Sequence, residues 1–128
     1  MLPLRPGRTT EATFLDTTTV LILLTEDDHL VATNLVTGLE DAGYEVIHAD
    51  SGQSAIEALN ERTSDIKALV TDIQLGGDVD GWVVAHHART ANPALPVIYM
   101  SGDSADTWAA NGVPNSVMLQ KPFTIASL

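Results

Sequence analysis

Five apolar runs punctuate the chain, and the four intervals between them have a helical or mixed polar character. Residues 20–25 (Val-Leu-Ile-Leu-Leu-Thr) are almost continuously apolar, as expected of a central strand buried on both faces. Val31, Leu35, Leu39 and Ala42 then recur at helical spacing, with Asp28 placed to cap the start and Gly43 to close the end. Residues 45–49 read as a second strand, Asp50-Ser51-Gly52 as a turn, and residues 54–62 as a short helix with Ala55, Ile56 and Leu59 on one face. Residues 67–72 form a third strand. A helix opening at Asp80 carries Trp82, Val84, Ala85 and Ala88, and stops at Asn92-Pro93. Residues 96–101 form a fourth strand, with Pro96 at its start where a missing N–H costs least. A short, weak helix is expected over 103–110, closed by Asn111-Gly112, followed by a fifth strand over 116–120 and a helical stub over 124–128.

Strict alternation of strand and helix predicts an α/β fold: one parallel sheet with helices on both faces. The expected organisation is one domain over residues 20–128 behind a flexible leader over 1–19. Pro3, Pro6 and Gly7 break up the leader, and Thr17-Thr18-Thr19 gives no helical stripe.

Composition narrows the function. With 45% hydrophobic and 18% charged residues in 128, the chain can bury a core. Seventeen acids against six Lys and Arg give a net charge of −11. That balance argues against nucleic acid or an anionic membrane as direct partner, and suits a divalent cation. The absence of Cys excludes a disulfide framework, a thiol nucleophile and a thiolate zinc site. Arg5 and Arg8 precede no apolar segment of the signal-peptide kind, and the run at 20–24 is far short of the ~20 residues of a membrane helix. The expectation is a soluble cytoplasmic protein.

The strand ends carry the chemistry. Strands one, three, four and five finish in Glu26-Asp27, Asp72, Ser101 and Lys121. In a parallel sheet these ends share one edge, where ligands of open α/β folds bind. Singly, each has a plain explanation: a helix entrance, a loop cap, a turn serine, a solvated lysine. Together they suit phosphoryl transfer to a carboxylate. Clustered acids form a hard oxygen site for Mg²⁺, a carboxylate can act as nucleophile, and a lysine with a hydroxyl can hold phosphoryl oxygens.

Leu23-Leu24-Thr25-Glu26-Asp27-Asp28, Thr71-Asp72-Ile73, Asp80-Gly81, Met100-Ser101-Gly102 and Lys121-Pro122-Phe123 together resemble the receiver (response-regulator) domain of two-component signalling. The resemblance covers about residues 20–123 and implies a flavodoxin-like, five-stranded sheet, here with its final helix truncated. It makes Asp72 the phosphoacceptor, with Ser101 as switch hydroxyl and Lys121 as charge partner. It makes Asp27 a direct Mg²⁺ ligand, Glu26 a ligand mostly through water, and the backbone carbonyl of Gln74 a further ligand beside Asp72. Asp28 stands outside that set. The implied donor is a histidine kinase or a histidine phosphotransfer protein, and the output passes to a downstream protein target or a homodimer. Such a domain is not a conventional enzyme; it catalyses only its own phosphorylation and dephosphorylation.

Three features depart from the family pattern. Gly76 replaces the usual Pro, and the loop to Asp80-Gly81 is one residue longer. Met118 replaces the usual aromatic switch residue. The final helix is only a stub. The first two support a rival reading, a pseudo-receiver that binds protein constitutively without phosphorylation. A flavodoxin-type nucleotide binder ranks lower, because Glu26-Asp27-Asp28 stands where a Gly-rich phosphate loop would be. His29, His48, His86 and His87 are expected in ordinary surface or helix-entry roles, although His29 beside the acid pair could tune it. Adjacent His86 and His87 point about 100° apart on a helix and cannot share a metal. Trp82 is expected in helix packing and Trp108 in partner contact. Gln74 and Asp103 flank the phosphoryl site as candidate modulators of the aspartyl phosphate lifetime.

Overall fold

A computed structural model of the chain describes residues 19–102 and 111–121. The expectations for the leader over 1–19 (all but Thr19), the helix over 103–110 and the stub over 124–128 lie outside the described residues, as do Asp103 and Trp108. The elements are β1 (Leu21–Thr25), α1 (His29–Asp41), β2 (Glu45–Ala49), α2 (Gly52–Glu61), β3 (Ile66–Asp72), α3 (Gly81–Ala91), β4 (Val97–Ser101) and β5 (Val117–Gln120). All strand pairs are parallel, in the order β2-β1-β3-β4-β5. This is the flavodoxin-like arrangement, with a topological switch point beside β1.

The continuous apolar run of β1 follows from its position between two strands and two helical layers. Leu21 and Leu23 pack on one face with Ala55 and Leu59 of α2 and with Val84, Ala85 and Ala88 of α3. Ile22 and Leu24 pack on the other face with Leu35 and Leu39 of α1. Alternate residues of one strand thus feed both layers.

Helix ends account for most differences from the sequence reading. Asp28 caps α1 as expected, its Oδ1 accepting from the N–H groups of Leu30 (3.0 Å) and Val31 (3.2 Å). Ala42 is not on the buried stripe. It is the C-cap, exposed, and Ala32 takes the core position one turn before Leu35. Helix α2 begins at Gly52, inside the expected turn, because Ser51 and Ser54 form a reciprocal capping box. Arg62 is its C-cap. Strand β3 gains Ile66, while β1, β4 and β5 each start one residue later than expected. Such shifts are of the size expected at frayed element ends.

Helix α3 is seated directly on the end of β3. The Gly81 N–H donates to the Ile73 carbonyl at 2.8 Å. A Cβ at position 81 would stand 2.2 Å from the Asp72 carbonyl oxygen, so only glycine fits this approach.

Candidate functional site

Strand register sets the geometry of the carboxyl edge. Thr25 pairs with Thr71, so Glu26 and Asp72 emerge from adjacent strands at one height. Asp72 pairs with Met100 and places Ser101 one step further along β4; Ser101 pairs with Gln120 and places Lys121 next. The Lys121 N–H then donates to the Ser101 carbonyl at 2.7 Å. Four strands therefore bring Glu26, Asp27, Asp72, Ser101 and Lys121 together, as the strand-end pattern predicts.

Lys121 joins two of the acids. Its Nζ lies 3.0 Å from Glu26 Oε2 and 3.0 Å from Asp72 Oδ2. Glu26 is only 1% exposed, and Asp72 and Ser101 are also buried. One carboxylate oxygen each from Glu26, Asp27 and Asp72 lies within 4.8 Å of the other two. Three carboxylates against one ammonium leave excess negative charge, and an oxygen-only donor set of this kind fits a hard divalent cation such as Mg²⁺.

Burial pushes the Glu26 carboxyl above its ordinary value, as does the neighbouring Asp72 charge. Hydrogen bonds from Lys121 and from the Asp28 N–H pull against that rise. Burial alone would lower Lys121, but its bonds to Glu26 and Asp72 outweigh burial and raise it. The lysine is thus held as a cation among the acids.

Other residues divide clearly. The Asp28 side chain is used as the α1 cap, in keeping with its place outside the expected ligand set. Gln74 is exposed on the loop after β3. Gly76 and Gly77 on that loop have φ of +67° and +73°, the left-handed region that the sequence supplies glycines for. Gly76 lies beside the site, since a Cβ there would be 3.8 Å from Asp27 Oδ2. Met118 is half-buried against the core and pairs with Tyr99 in register. Tyr99 is fully buried, accepts at its hydroxyl from the Val113 N–H (3.1 Å), and packs on Trp82 with centroids 4.8 Å apart. Trp82 therefore packs as expected. His86 bonds the Asn111 carbonyl and His87 the Asn60 side chain, so the adjacent pair has separate partners.

His48, expected in an ordinary surface role, has its Nε2 2.8 Å from the Glu26 carbonyl oxygen. The rings of His29 and His48 form an edge-type pair, with centroids 6.0 Å apart and planes at 85°. The available signal is positional: a polar side chain at the end of the strand that pairs with β1.

A flavodoxin-like sheet whose carboxyl edge gathers three acids, a buried serine and a lysine defines a receiver domain, a signalling module of two-component systems. The chain belongs to the response regulator receiver domain family, whose model it matches over residues 22–128. It is 36% identical to the response regulator receiver protein CpdR of Brucella abortus, over 84% of this chain and 88% of that one. It is 30% identical to the sensor kinase CckA of the same organism, over 84% of this chain but only 11% of the kinase. The crystal structure of a response regulator receiver protein from Sinorhizobium medicae superposes with a TM-score of 0.83 at 42% identity, covering 87% of this chain and 89% of that one. Among the described residues, no helix is long and apolar enough to cross a membrane.

Proposed function

We propose that this domain accepts a phosphoryl group on Asp72 from a phosphohistidine donor and signals through the resulting conformational change. The observation that carries this reading is the convergence of Glu26, Asp27 and Asp72 within 4.8 Å, with Lys121 bridging two of them. Asp72 Oδ forms the new P–O bond while the P–N bond of the donor breaks, and the imidazole leaves with the electron pair of that bond. Lys121 and the Ser101 hydroxyl hold phosphoryl oxygens, neutralising and orienting them. Glu26, Asp27, Asp72 and the Gln74 carbonyl would hold Mg²⁺, which when bound offsets the negative charge of the transferring group. The donor is a histidine kinase or a histidine phosphotransfer protein, and the likeness to part of a sensor kinase supports that class of partner. A downstream protein receives the signal, in the cytoplasm.

Incubation with Mg²⁺ and acetyl phosphate, followed by intact-mass measurement, tests the reading. One phosphoryl adduct is expected, stable in acid, lost in base, and absent from Asp72→Ala. An adduct that survives that substitution, or no adduct with wild type, overturns it. The second outcome would leave the pseudo-receiver, whose support is Gly76 and Met118.

A further inference from the structure

We infer that His48 is a positioning residue for the acid pair, holding the turn from which Glu26 and Asp27 present their carboxylates to a divalent cation. The inference rests on the cation-binding reading above and assigns a role to a residue outside the acid, serine and lysine set.

Hydrogen-bond accounting at the end of β1 carries it. Ladder pairing between β1 and β2 runs to Thr25 and Ala49, and the Glu26 N–H still finds the Ala49 carbonyl at 3.1 Å. The next donor in a parallel ladder would be the Ser51 N–H, which would meet the Glu26 carbonyl. That N–H is committed elsewhere: it donates to Ser54 Oγ at 3.2 Å, inside the α2 capping box. The ladder therefore stops one bond early, next to a carboxylate that is 1% exposed. His48 supplies the missing bond from its side chain, at 2.8 Å. A carbonyl oxygen only accepts, so Nε2 carries the hydrogen. The His29 ring lies beside that of His48, with centroids 6.0 Å apart and planes near perpendicular. Both main-chain polar groups of Glu26 are thus fastened to the end of β2. Asp27 follows immediately, and Asp28 opens α1 through its cap. Release of the Glu26 carbonyl would loosen all three residues at once.

The test uses the 128-residue chain with His48→Leu and His48→Gln, the second retaining a side-chain N–H of similar reach. Three readouts are taken: Mg²⁺ affinity by calorimetric titration, amide hydrogen exchange at Glu26, Asp27 and Asp28 without metal, and thermal unfolding. His48→Leu is expected to weaken Mg²⁺ binding about tenfold, the low end of what outer partners of metal ligands contribute, and to speed exchange over 26–28. His48→Gln is expected to recover most of both, at an unfolding midpoint close to that of wild type. Mg²⁺ affinity of His48→Leu within about twofold of wild type overturns the inference, as does a glutamine variant no better than leucine. Failure of wild type to bind Mg²⁺ would sink the cation reading instead. Exchange without metal still decides the clamp in that case, since unchanged protection in His48→Leu would remove it.

Discussion

The ammonium of Lys121 and the carboxylate of Asp72 meet at 3.0 Å, across 49 positions of sequence and past the intervening strand β4. The same ammonium reaches Glu26, so one cation restrains two acids that would otherwise repel. Removing it in Lys121→Met should destabilise the metal-free protein by about 1–3 kcal/mol. That is less than for a fully buried pair, because the lysine side chain remains 28% exposed. Mg²⁺ should restore more stability to the variant than it adds to wild type. Urea unfolding in EDTA and in Mg²⁺ reads both effects, and identical midpoints in EDTA would contradict the first.

The raised values of Glu26 and Lys121 give a signed pH dependence. Folding favours the protonated form of each. The contribution of Glu26 is present in full below its ordinary value of 4.5 and is lost as pH rises through the raised folded value. That of Lys121 is present below 10.5 and is lost as pH rises through its raised folded value. Other acids impose their own slopes, so the informative measurement is the difference between wild type and Glu26→Gln in EDTA. Wild type should lose stability relative to the variant as pH climbs through the Glu26 titration. Mg²⁺ should stabilise wild type more near neutral pH than in acid, because the cation needs deprotonated ligands.

Gly81→Ala should cost about 1–3 kcal/mol, since its Cβ would meet the Asp72 carbonyl oxygen at 2.2 Å and α3 or the end of β3 must move. Because that strand end carries Asp72, phosphorylation by acetyl phosphate should also slow. Chemical denaturation and the rate of adduct formation measure the two effects separately.

Tyr99→Phe should keep the ring packing against Trp82 and lose only the acceptor for the Val113 N–H. A buried donor left without a partner costs about 1–3 kcal/mol. Thermal unfolding checks this, and a midpoint equal to wild type would mean that the amide finds another acceptor.

The order of elements is legible in the sequence because burial on both faces writes strands as unbroken apolar runs, and because most runs end in a residue that carries chemistry. Glu26, Asp72 and Lys121 could be placed at one edge from that alone. Helix starts are harder to read. The box of Ser51 and Ser54 lacks the acidic or amide partner that usually marks such a start, so the turn residue Gly52 proves to be the first of α2. Ala32 and Ala42 look alike as small apolar residues, and what separates them is that α1 stops at Asp41 and leaves Ala42 as its C-cap. The link from His48 to Glu26 spans 22 positions and depends on which strands are neighbours, which no local pattern records.

The loop between Asp72 and Gly81 is a hoop with both feet fixed. One foot is held by the pairing of β3 with β4, the other by the bond from Gly81 to Ile73. Gly76 and Gly77, in their left-handed conformation, lie between those feet. Loop length adds little closure cost once the ends are held, so the extra residue is taken up in the hoop and not at the strand end. The strand end that carries Asp72 is therefore pinned at both feet of the hoop, while the span around Gly76 and Gly77, beside Asp27, is where changes of loop length are absorbed.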